Sequence, residues 1–366
     1  MTSETLTPPP RPLSAPTVAA AFGQTRYGWL LPALAGALVL ITLLSVGVGA
    51  VWISPTDLST MLGQALGLTT GADPTKMAIL TTIRLPRVCL ALLIGSGLAV
   101  AGAAMQGLFR NPLADPGLIG ISAGAMLAAV LTIVLEITLF TKLTGLLGYY
   151  TLSVVAFGGA CLTTLLVYRL ARRAGRSVVT TMLLAGIAIN ALAGALTGLM
   201  TYLATDEQLR TITFWSLGSL GGASWTMVLT LLPFMGVVLL GLPRLAGALN
   251  GLSLGESQAQ MLGVNLAGLK RSVIVLTTLA VGSSVAVAGL IGFVGLVIPH
   301  LIRLVAGADH RRVLLGSALG GATVLTGADA LARTVVAPAE LPIGILTALL
   351  GTPVFLWLLI RERNAG

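Results

Sequence analysis

The chain has 366 residues, of which 56% are hydrophobic and only 9% charged. A soluble domain needs about 25% charged residues to cover its surface, so most of this surface must face lipid rather than water. The apolar stretches are continuous rather than alternating, which excludes an amphipathic β-barrel; a net charge of +9 without basic runs interleaved with aromatics reads as positive-inside bias, not nucleic-acid binding. The expected fold is all-α, a polytopic membrane protein. Its 45 glycines suit helices packed backbone to backbone. Cys89 and Cys161 lie in apolar stretches and suggest neither a disulfide framework nor a metal site.

Residues 1–28 are polar and proline-rich, with Pro8, Pro9 and Pro10 in a row, and read as a disordered cytoplasmic tail. A signal peptide is the competing reading, since Arg26 precedes an apolar run. That run, Trp29 to Val51, exceeds the ~7–15 residues of a signal core and fits a membrane span. A transmembrane domain then occupies residues 29–366. Nine further spans are expected near 88–107, 118–137, 146–168, 178–203, 226–243, 271–289, 290–305, 313–332 and 342–360. The seventh and eighth spans nearly touch at Gly289, which calls for a very tight connection. Ten spans place both termini on one side. With the termini inside, the inner segments hold 15 of the 21 Lys and Arg residues, so the termini are expected to be cytoplasmic. Gly186, Asn190, Gly194 and Gly198 share a helix face, as do Gly316 and Gly320; close packing is the plain reading, with Asn190 alternatively lining a pathway.

Three stretches differ from lipid-facing helix. Arg84-Leu85-Pro86-Arg87 enters the second span from outside, with two outward arginines that are either snorkelling anchors or wait for an acidic partner. Gln106 to Gly124 carries two prolines that break the helix, either in a cytoplasmic turn or at membrane depth along a path. Leu249 to Val264 is too polar to span, and exposed Leu252, Leu254, Met261 and Leu262 would suit a soluble partner or the lipid interface.

Catalytic signals are missing from this sequence. Gly263 to Gly268 resembles a phosphate loop, but Leu269 intervenes before Lys270 and Arg271 replaces the hydroxyl residue. His300 and His310 lack metal-ligand spacing with acids or cysteines. An ion-coupled secondary transporter, the reading from a different class, needs membrane-embedded acids, whereas Glu136 and Asp329 sit near span ends.

Taken in order, RLPR from Arg84, QGLFRNPLADPGLIGISAGA from Gln106, LSLGESQAQMLGV from Leu252 and GLIGFVGLVIPHLIR from Gly289 form a set, joined by GADHR at Gly307, ADALAR at Ala328 and ELPIGILTALLGTPVFLWLL at Glu340. This set resembles the permease subunit of bacterial type II ABC importers for iron-siderophores, haem and vitamin B12, and it covers nearly everything after residue 80. The resemblance implies a vitamin B12 permease-like homodimer of ten-helix subunits in the inner membrane, two cytoplasmic ATPases and a periplasmic substrate-binding protein. It implies that ATP and Mg bind the ATPase chain, and that this chain is no enzyme and holds no cofactor or metal. Arg84, Arg87 and Arg333 match arginines that grip acidic residues of the binding protein. Asn111, Leu113 and Thr180 match positions near the cytoplasmic gate. Gly255, Glu256 and Leu262 lie in the stretch that resembles coupling helices inserted into the ATPase groove. The stretch RTITFWSLGSLGGASW from Arg210 looks most like the haem branch, so haem is the expected substrate, with a ferric siderophore or vitamin B12 as alternatives.

Overall fold

The computed structural model describes residues 28–49, 51–135, 148–173, 176–177, 179–336 and 339–365. The expected tail, apart from Gly28, and Glu136 lie outside those residues. The described helices are α1 (Leu30–Gly47), α2 (Pro55–Ala65), α3 (Pro74–Phe109), α4 (Ile121–Leu135), α5 (Thr151–Leu170), α6 (Val179–Leu203) and α7 (Asp206–Ser216). They continue as α8 (Trp225–Arg244), α9 (Ala246–Ser253), α10 (Glu256–Met261), α11 (Leu266–Ala288), α12 (Val294–Ala306), α13 (His310–Ala332) and α14 (Ile343–Ala365). Strands β1 (Arg172–Arg173) and β2 (Arg176–Ser177) form a two-residue antiparallel ladder. Helices α1, α3, α5, α6, α8, α11 and α13 are long and apolar enough to cross a membrane; α4, α12 and the Ile343–Leu358 part of α14 are shorter apolar helices. These ten match the ten expected spans in order. We call the end carrying α2 and α7 the upper end and the end carrying α9 and α10 the lower end.

Helix α3 is the axis of the bundle, and from Pro86 to Phe109 it is buried almost throughout. Its neighbours are α13, α11, α8, α12 and α1. Small residues on every face make this possible. A Cβ on Gly95 would strike the carbonyl of Gly321 in α13, and one on Gly321 would strike the carbonyl of Gly95. Lower down, Gly102 lies against the Gly295 carbonyl of α12. Pro299 lacks the N–H that would bond that carbonyl within α12, so the close approach covers an acceptor without a helix partner. In lipid, such van der Waals contact replaces the hydrophobic drive between helices.

The helix that carries the second span begins well before its apolar run, at Pro74 rather than near residue 88. Asp73 caps the helix, and Ile79–Arg84 widens into a π-helical turn. The turn accommodates Pro86: the Leu85 N–H bonds Leu80, and Pro86 has no N–H for Thr81. The indole of Trp225 donates to the orphaned Thr81 carbonyl at 2.8 Å. Between α1 and α3, helix α2 starts with a capping box between Ser54 and Asp57. Hydrogen bonds from the Lys76 side chain and then from Ser54 hold the Asp57 carboxyl down at about 2.

The link between the seventh and eighth spans is five residues long. It runs from Gly289 (φ 71°) to Phe293 (φ 67°), both in the left-handed region, and shortens α12 to 13 residues. Backbone hydrogen bonds from Ser219 to Ala288 (2.8 Å) and from Gly344 to Leu217 (3.0 Å) join the end of α11, the segment after α7 and the start of α14.

Candidate functional site

At the upper end two arginines, Arg87 and Arg333, converge on two carboxylates, with Arg84 beside them. Asp329 of α13 is fully buried, and Arg87 Nε donates to both its oxygens at 2.9 and 3.2 Å. Arg87 Nη1 also donates to both oxygens of Glu340 at 2.8 Å. Arg333, one turn beyond Asp329, pairs with it at 3.2 Å and reaches Ser45 Oγ at 2.7 Å and the Val48 carbonyl at 3.2 Å. Arg84 donates to the carbonyls of Val46 (2.6 Å), Gly47 (2.7 Å) and Val51. The alternative of snorkelling anchors is thus not met: Arg84, Arg87 and Arg333 are only 3%, 4% and 8% exposed. The carbonyls freed where α1 ends draw two of them inward, so they clamp the α1–α2 link onto α3 and α13. Of the two acids, only Glu340 is open, with 44% of its side chain exposed.

From the lower end of α3 the broken stretch climbs back inside the protein. Arg110 takes φ 50°, the Asn111 side chain accepts from the Leu113 N–H at 2.9 Å, and Asp115 caps a 3₁₀ turn over Pro116–Ile119. A Cβ on Gly186 would strike the Leu118 carbonyl, and Asn190 Nδ2 donates to the Gly117 carbonyl at 3.0 Å. Those contacts lie seven and eleven residues into α6, or about 10 and 16 Å from its lower end. The turn therefore sits at depth, and α4 begins inside the bundle at Ile121. It shares a cavity of about 230 Å³ with the Gly289–Phe293 link, lined by Leu98, Asp115, Ser122, Ile291 and Phe293 among others. Irregular backbone at membrane depth is stable only in such protein-lined space. The glycine stripes divide. Gly316 and Gly320 pack on Ile302 and Ile298, whereas Gly194 and Gly198 face open space.

At the lower end, α9 and α10 form a ledge joined by Gly255, whose φ of 119° excludes other residues. Leu254, Met261 and Leu262 are exposed, but Leu252 is buried, contrary to expectation, because α9 rests its apolar face on α3 and α13. Glu256 is tied to Lys270 at 2.8 Å, so the lysine of the phosphate-like stretch is engaged by a carboxylate. Asn250 of α9 donates to Asp309 at 2.7 Å and accepts the His310 N–H at 2.9 Å and its Nδ1 proton at 2.8 Å. Burial works to raise the Asp309 pKa, but hydrogen bonds from Asn250 and Arg311 and the charges of Arg312 and Arg311 hold it below the ordinary range. A Cβ on Gly107 would strike His310 Nε2, so the end of α3 touches the same cluster. Asn111 and Thr180 are exposed and Leu113 half-buried at this end. Sequence reasoning assigned Asn250 and His310 no such role; the GADHR motif marked His310, and Asn250 lies in the Leu249–Val264 stretch.

The profile of the FecCD transport family matches residues 37–361. The chain belongs to this family. Among similar proteins, the hemin transport system permease protein of Yersinia pestis is 51% identical over 286 residues, covering 77% of this chain and 83% of that protein. The vitamin B12 import system permease protein of Escherichia coli is 41% identical over 339 residues, 92% of this chain and 96% of that one. A solved structure, a metal-chelate type ABC transporter in an inward-facing conformation, superposes with a TM-score of 0.79 at 34% identity, covering 92% of this chain and all of that one. This FecCD chain is a multi-pass permease, a transport component. Its buried Asp329 is committed to Arg87 and Arg333 rather than free as an ion relay.

Proposed function

We propose that the chain is the permease subunit of an ATP-driven importer that moves haem from the periplasm to the cytoplasm. The observation that carries this reading is the 51% identity with a hemin permease, ten percentage points above the vitamin B12 permease. A ferric siderophore, which like haem is a metal chelate, is the second reading and is compatible with the description of the solved neighbour. The subunit works as a homodimer in the bacterial inner membrane, upper end outward and both termini cytoplasmic. A separate pair of ATPase chains binds ATP and Mg, and a periplasmic binding protein delivers substrate; this chain holds no cofactor.

Arg84, Arg87 and Arg333 serve docking of that binding protein, with Glu340 standing at the entrance to the cluster. Gly255, Glu256 and Leu262 on the lower ledge face the ATPase. Asn111, Leu113 and Thr180 border the inner gate. The link from Asn250 through His310 to Gly107 supports a mechanical path from ledge to gate. The reading is tested by the ATPase rate of the reconstituted complex with its binding protein empty, haem-loaded or loaded with a ferric siderophore. Stimulation by the haem-loaded form supports it; stimulation by the siderophore form alone overturns the substrate assignment. Cysteine pairs across the dimer at Asn111 or Leu113 should cross-link in the closed state and block uptake, and failure in every nucleotide state would move the gate elsewhere.

A further inference from the structure

Between α5 and α11 a cavity of about 500 Å³ opens on the flank of the bundle, lined by Cys161, Leu165 and Tyr168 on one side and Arg271, Val275 and Leu279 on the other. Phe157 closes its upper end, eleven residues and about 16 Å above Tyr168 along α5. The two threonines in its wall offer a ligand little. Thr164 donates to its own helix at Ala160 and Thr278 to Ile274, each at 2.8 Å. What remains is a long apolar slot on two membrane-crossing helices, with Leu165 and Val275 about half exposed.

Among the described residues Arg271 is the only charged one in the lining, at the same lower mouth as Tyr168. Exposed Arg169 and Arg172 flank the same end, and the β1–β2 hairpin packs against α11 there. We propose that this slot is a lipid site, holding one acyl chain of an anionic phospholipid whose headgroup sits on Arg271 with Arg169 and Arg172 nearby. An apolar slot ending in a basic cluster at membrane-interface depth matches the two parts of such a lipid. A second copy fits less well. Among the described residues no acid lines the slot, so a two-fold contact over this flank would bring two arginine clusters together without countercharge.

The test is native mass spectrometry of the full-length chain with its ATPase, delipidated and titrated with phosphatidylglycerol and phosphatidylcholine of matched chains. One phosphatidylglycerol per chain should be retained in preference to phosphatidylcholine. Arg271→Gln should cut that preference about fivefold, the effect of one cation near the surface. Cys161→Phe, which fills the slot, should reduce retention of both lipids, while Cys161→Ser leaves both unchanged; Leu165→Trp is the second filling variant should the first misfold. Wild-type lipid retention by both Arg271→Gln and the filled variants overturns the site. So does a Cys161–Cys161 cross-link between two copies in native membranes, which would show a second chain covering the slot.

Discussion

Arg87 is held from two sides, by a fully buried aspartate and by a glutamate at the surface. The two have different consequences. Asp329→Asn removes the countercharge shared by Arg87 and Arg333, leaving two buried guanidiniums short of a partner, and should cost about 3–5 kcal/mol of stability. Unfolding of the purified subunit in mild detergent measures it, and a cost below 1 kcal/mol would mean the cluster is hydrated. Glu340→Gln leaves Arg87 on Asp329 but removes the carboxylate that competes with an incoming acid. It should therefore tighten docking of the binding protein several-fold. Arg84→Glu and Arg333→Glu should weaken docking by about 2–5 kcal/mol, provided that the subunit still inserts and binds its ATPase. Unchanged affinity in all three would leave the arginines as clamps on the α1–α2 link alone. The Asp329–Arg333 pair, four residues apart on one helix, is of a spacing that a sequence displays. The partners of Arg87 lie 242 and 253 residues away, a separation that no local pattern reports.

The helices themselves were legible, because each span is an uninterrupted apolar run. The failures fall where chemistry interrupts such a run. Lys76, Arg84, Pro86 and Arg87 lower the hydropathy before residue 88, yet a π turn and the Trp225 indole carry the helix through them. Likewise Gly289 marks a turn, but not that five residues fold back into the bundle. Glycine contacts give the sharpest test of the packing. Gly321→Val drives a side chain into the Gly95 backbone and should cost about 1–3 kcal/mol or more, whereas Gly194→Val, on an open face, should stay within about 0.5 kcal/mol in the isolated subunit. Equal effects would contradict the backbone contact between α3 and α13. On the lower ledge, Leu262→Asp puts a charge into an exposed apolar patch and should weaken ATPase association by co-purification. A complex that stays intact with normal transport would place the ATPase contact elsewhere.

Across the whole molecule, the upper arginine cluster, the central broken helices and the lower ledge line up along one axis, with α3 touching all three. The motif order made this arrangement legible from the resemblance; physics alone left open whether the 106–124 break was a surface turn or lay at depth, and the Gly186 and Asn190 contacts decide for depth. The substrate is where the account is most exposed. The measurement that tests it most directly is uptake into vesicles reconstituted with this subunit, its ATPase and its binding protein, supplied separately with haem, a ferric siderophore and vitamin B12. ATP-dependent accumulation of haem, lost when the ATPase is omitted, is the expected result; accumulation of the siderophore or vitamin B12 without haem would contradict it.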